Sequence, residues 1–140
     1  MNESYYQAKI MKEWEAIGGH NVNGNYTKSG EADLQGGYPH TDMYLKPTGD
    51  KLHPFKSEVE KRIRLLYLVV EVKTEEDYAR VMKCIVEENG RYVIQNTKGL
   101  KKHEPLQIAK INMVRDKGGL AVIAWNFKQV QDYVTQSQTH

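Results

Sequence analysis

The chain has 140 residues, 39% hydrophobic and 27% charged, with a formal charge of +2. That composition excludes intrinsic disorder and is too weakly basic to argue for nucleic acid by itself; its length suits one domain. A single cysteine, Cys84, excludes an internal disulfide framework and a cysteine-based zinc site, and no apolar run approaches the length of a membrane span. With no signal-peptide pattern at the start, the expectation is a cytoplasmic protein of one domain with no membrane partner.

Residues 3–17 place Tyr6, Ile10, Trp14 and Ile17 at helical spacing, and Gly18-Gly19 stop the helix. The segment 20–37 is rich in Gly and Asn and reads as short strands joined by turns. Residues 38–62 hold three of the four prolines and many charges, which predicts an inserted hairpin arm or loop. RLLYLVVEVK, residues 64–73, is the strongest strand and has the apolar run of a central one. Its alternation puts Val69, Glu71 and Lys73 on one face and Leu68, Val70 and Val72 on the other.

From Thr74 to Asn89 the period turns helical, with Tyr78, Val81, Met82, Ile85 and Val86 on one face and Thr74 as N-cap, which predicts an extra helix ended by Gly90. RYVIQ reads as a short strand and TKGLKKHEP as a basic loop. Pro105 opens a helix through LQIAKINMVRDK, closed by Gly118-Gly119. LAVIAW is a buried strand, Asn126 caps a last helix, and residues 135–140 read as a disordered tail. Tyr67 and Trp125 are expected in the core. The order of elements predicts an α/β protein with a mixed central sheet flanked by helices.

Chemistry enters at Glu71-Val72-Lys73. Two opposite charges at a strand end are either a satisfied ion pair or part of a site. Upstream, in SGEADLQGG, Asp33 stands near a strand end beside Gly30, Ala32 and Leu34. Asp33 opposite Glu71 would converge two carboxylates, a hard-oxygen set suited to Mg²⁺ or Mn²⁺. A lysine within reach adds a group that can orient water or stabilise charge during phosphodiester hydrolysis. Asp42 in YPHTDMYL is a competing upstream carboxylate without a flanking glycine. The histidines, scattered through loops and the tail, read as solvated rather than zinc-binding.

An Asp followed by Glu-x-Lys on adjacent strands resembles the PD-(D/E)XK nuclease superfamily, and the surrounding residues resemble its VRR-NUC branch, in its stand-alone, virus-type form. Glu3 in ESYYQAKI is similar to that family's acidic helix, GEADLQGG to its Gly-x-(Pro/Ala)-Asp-(Leu/Ile)-x-Gly motif, VVEVKT to its Glu-x-Lys strand, and Gln107 in PLQIAKI to its glutamine on the following helix. RDKGGLAVIAWNFKQVQDYV is similar to its closing strand and helix, so the resemblance spans residues 3–134.

The resemblance implies a restriction-endonuclease-like core with inserted segments at about 38–64 and 74–104. It implies Asp33, Glu71 and the backbone carbonyl of Val72 as ligands of Mg²⁺ or Mn²⁺, Lys73 as the catalytic lysine, and Glu3 and Gln107 completing the site. An acid in a first helical turn is also what the helix dipole favours, which leaves Glu3 a second reading. The function implied is a structure-specific DNA endonuclease, a homodimer resolving Holliday junctions or other branched DNA, in a bacterial or phage-infected cell. A DNA-binding or assembly module that does not cut, and a nuclease of linear or single-stranded DNA, are the alternatives. Lys98, Lys101 and Lys102 before Gln107, and Arg62 and Arg64 on the arm, are the candidate DNA contacts; Lys56, Lys61, Glu58 and Glu60 accompany the second set.

Overall fold

The computed structural model describes residues 2–23 and 33–138. Gly30 and Ala32, named beside Asp33, and His140, the histidine of the tail, lie outside the described residues. In chain order the elements are α1 (Glu3–Ala16), β1 (His20–Asn23), β2 (Leu34–Pro47), β3 (Ser57–Val72), α2 (Glu75–Met82), β4 (Ile85–Glu88), β5 (Arg91–Ile94), α3 (Glu104–Asp116), β6 (Leu120–Ala124) and α4 (Phe127–Ser137). The main sheet runs β1-β2-β3-β6, antiparallel except for the parallel β3–β6 pair. The expected mixed sheet flanked by helices is present.

Alternation along β3 decides what each face of the sheet buries. Leu68, Val70 and Val72 pack with Ile10 and Trp14 of α1 and with Phe127, Val130 and Val134 of α4. Val69, with Ala121 and Ile123 of β6, packs on Ile108 and Ile111 of α3 and on Val81, Ile85 and Tyr92. Helices thus cover both faces of the central strands, so a continuous apolar run is required there. Gly36 has its own steric reason: a Cβ there would lie 1.9 Å from the His20 carbonyl oxygen, because β1 crosses that close.

The hairpin arm is real, and its strands run deeper than the sequence suggests. β3 begins at Ser57, not Arg64, and pairs with β2 residue for residue from Leu34↔Val70 to Pro47↔Ser57. Segment 38–64 is therefore the outer length of two main-sheet strands joined by a turn.

The extra helix is shorter than the periodicity predicts. It ends at Met82, and Ile85–Glu88 form β4, paired antiparallel with β5 in a two-stranded sheet. Asn89 and Gly90 both have positive φ, 54° and 77°, the backbone of a two-residue type I′ hairpin turn. The Asn-Gly pair is a reversal between strands, and Ile85 reaches the core from β4. Residues 135–137, expected in a disordered tail, complete α4, whose Asn126–Gln129 capping box fixes its start.

Tyr67 departs from the expected core position: it is 52% exposed, because the helical cover on its face stops short of the arm. No helix among the described residues is long and apolar enough to cross a membrane.

Candidate active site

Four elements meet where β3 ends. The β2–β3 register, continued one residue past Leu34↔Val70, sets Asp33 opposite Glu71. The Val72 N–H donates to Asp33 Oδ2 at 2.9 Å and fixes that carboxylate. Glu3 arrives from the first turn of α1, where Gln7 Nε2 donates to its Oε1 at 3.2 Å. The carboxyl of Asp33 lies close enough to those of Glu3 and Glu71 for each to shift the ionisation of the other.

The electrostatics follow from crowding three acids in a buried place. Burial first, then the charge of Asp33, push Glu71 up to about 9 and Glu3 up to about 7, while the positive charge of Lys73 works the other way. Burial raises Asp33 too, against the hydrogen bond from Val72 and those shared with its two neighbours. Ionising all three would place more negative charge there than the protein surroundings satisfy, and the raised values express that.

Lys73 closes the opposite side. It is 4% exposed and donates to Glu104 Oε2 at 3.0 Å and to Gln107 Oε1 at 2.8 Å. Glu104, 1% exposed at the start of α3, also accepts from Arg80 Nη1 and Nη2 at 2.7 and 2.8 Å and from the Lys101 N–H at 2.6 Å. Burial opposes ionisation of Glu104. The hydrogen bonds from Arg80, Lys101 and Lys73 outweigh it and hold the carboxyl at about 2. Arg80 is steadied in turn by Gly99 O at 2.8 Å and Asp77 Oδ1 at 3.3 Å.

The structure therefore brings together Glu3, Asp33, Glu71, Lys73 and Gln107. Val72 contributes its backbone to the same strand end. Lys98, Lys101 and Lys102 lie on the exposed loop leading into α3, and Lys101 Nζ is 3.8 Å from Asp77. Arg62 and Arg64 sit elsewhere, on the polar face of the arm. Arg64 bonds Asp42, and Arg62 lies 4.0 Å over the Tyr44 ring and 3.8 Å from Glu60. Asp42 is spent on Arg64 and His40 and lies far up β2 from Asp33, so it is no part of the cluster.

Sequence reasoning missed Glu104 and Arg80. An acid before a proline at a helix start is unremarkable, and Arg80 falls on the polar side of α2. Only the spacing of Glu104 from Gln107, one helical turn, offered a signal.

For a divalent ion, the donors available are carboxylate oxygens, a hard set with no histidine or thiolate, which fits Mg²⁺ or Mn²⁺ in kind. The burial and mutual repulsion that raise Glu3 and Glu71 fit as well, because a cation bound there would favour their ionised forms. Among the described residues no three His, Cys, Asp or Glu side chains are arranged as a ready cage. The chain matches no family model, no curated protein and no solved structure.

Proposed function

We propose that this chain is a metal-dependent endodeoxyribonuclease of the PD-(D/E)XK kind, close in pattern to VRR-NUC proteins, acting on branched DNA such as four-way junctions. One observation carries the reading: Glu3, Asp33 and Glu71 crowd together at the end of β3 beside the buried ammonium of Lys73. The ordered pattern that resembles the nuclease motif in sequence is thus one cluster in space, on a restriction-endonuclease-like reading of the core.

Asp33, Glu71 and the Val72 carbonyl would hold the ion, with Glu3 at the edge of the site. When bound, Mg²⁺ or Mn²⁺ polarises the scissile phosphate and lowers the pKa of water. Lys73 serves as a positioned donor. With two of its three N–H groups on Glu104 and Gln107, the third is left for a water or a phosphate oxygen. Glu104 and Arg80 are positioning residues, keeping the ammonium aimed. The Lys98, Lys101 and Lys102 loop, which leads into α3, suits a phosphate backbone.

The test is cleavage of four-way, flap and linear DNA with and without Mg²⁺, with Lys73→Ala as control. Metal-dependent cutting that Lys73→Ala abolishes supports the reading, and unchanged cutting by that variant overturns it. The commitment of Lys73 to Glu104 and Gln107 favours a second reading, a module that binds DNA without cutting. Salt-sensitive binding indifferent to EDTA and to Lys73 would mark it.

A further inference from the structure

Side chains directly opposite one another on β2 and β3 share a face, so the register sorts the arm into two surfaces. One carries His40, Asp42, Tyr44 and Lys46 opposite Arg64, Arg62, Glu60 and Glu58, laced by ion pairs. The other carries Pro39, Thr41, Met43 and Leu45 opposite Leu65, Ile63, Lys61 and Val59, with Tyr67 at its root. On this second face Ile63 is 74% exposed and Leu45 70%, and Met43, Val59, Leu65 and Tyr67 are each more than half exposed. It continues the face that α3 covers around Val69, and among the described residues nothing covers it further out.

Six such side chains at about 100 Å² apiece give about 600 Å² of contiguous apolar surface, at the upper end of what a monomer leaves open. We infer that this face is a homodimer interface, with the arm of a second copy packed on it about a twofold axis. The charge pattern excludes a nucleic-acid occupant, because Lys61 is the only charged side chain among these rows and a phosphate backbone needs several cations. A second copy fits. Two arms related by an axis through the Thr41–Ile63 row set the Pro39–Leu65 row of each over the Met43–Lys61 row of the other. The Lys61 stem then lies on Leu65 with its ammonium at the rim. Paired, the two faces bury about 1,200 Å², within the range of stable interfaces, in the sheet-on-sheet geometry such surfaces adopt.

This interface does not rest on the nuclease reading, and its test needs neither metal nor DNA. Sedimentation equilibrium of the whole chain at micromolar concentration is expected to give a dimer. Ile63→Asp should give a monomer with unchanged circular dichroism, whereas Lys46→Ala on the polar face should stay dimeric. A monomeric wild-type chain, or a folded Ile63→Asp chain that still dimerises, would overturn the inference. Should Ile63→Asp fail to fold, thiol labelling of Ile63→Cys decides: labelling must slow as concentration rises through the dimerisation range, and a rate independent of concentration overturns it.

Discussion

Lys73 makes its ion pair with Glu104, 31 residues away on α3, at 3.0 Å, rather than with Glu71 two residues before it on the same strand. Glu71 is thereby left to the carboxyl cluster. The amine and the acid of Glu-x-Lys belong to two adjoining networks, one anchored by Arg80 and Glu104, the other by Asp33 and Glu3.

Removal of the amine tests the chemistry. Lys73→Ala is expected to lower cleavage of a four-way junction by roughly 10²-fold or more, the scale of losing a positioned donor. Binding to the same junction in Ca²⁺ should change little, as read by gel shift. Because Arg80 still neutralises Glu104 in this variant, the chain should stay folded.

Glu104→Gln tests the anchor. Taking one partner from a buried ion pair costs roughly 3–5 kcal/mol, whereas an exposed pair such as Lys128–Asp132 is worth at most about 0.5 kcal/mol. Glu104→Gln should therefore lower the denaturant midpoint far more than Asp132→Asn does. A merely structural role predicts unchanged turnover in the folded fraction; positioning of Lys73 predicts a fall in kcat with KM retained.

The pH dependence has a definite sign. Glu71 and Glu3, raised to about 9 and about 7, bind protons in the folded chain that the unfolded chain has already released. Without metal, their contribution to stability is fully present below the ordinary carboxyl range and is lost as pH rises toward about 9. Glu104, held at about 2, acts in the opposite sense: its contribution is present above the ordinary range and is lost as pH falls toward about 2. Melting curves between pH 5 and 9 should show Tm declining, and Glu71→Gln should flatten the decline by removing the buried charge.

Metal addition reverses that decline. Mg²⁺ is expected to raise Tm more at pH 8 than at pH 6, since ionised carboxyls bind it and protonated ones do not. Asp33→Asn should abolish both the shift and the heat of Mg²⁺ binding in titration calorimetry. Wild-type affinity in that variant would remove Asp33 from the ligand set.

Local rules determined much of this molecule. The Ile10–Trp14 face of α1, the alternation of β3 and the Asn126 cap are all readable from neighbouring residues, because helical period, strand alternation and capping act over a few positions, whereas Glu3 and Gln107 joined Asp33, Glu71 and Lys73 only through a resemblance in motif. The error between Lys83 and Asn89 was also local: a helical period was followed as far as the Asn-Gly turn, although the helix ends at Met82 and Ile85–Glu88 form the first strand of a hairpin. Three things required the tertiary structure. Glu104 and Arg80 became the anchor of Lys73 only when α2 and α3 packed over the end of β3. The carboxyls acquired raised pKa values only when α1 and the start of β2 buried them together. Tyr67 and Ile63 were left open because α3 covers the sheet near Val69 and not the arm. Each depends on which elements stack over which stretch of β3, and that is set by long-range packing rather than by the residues on either side.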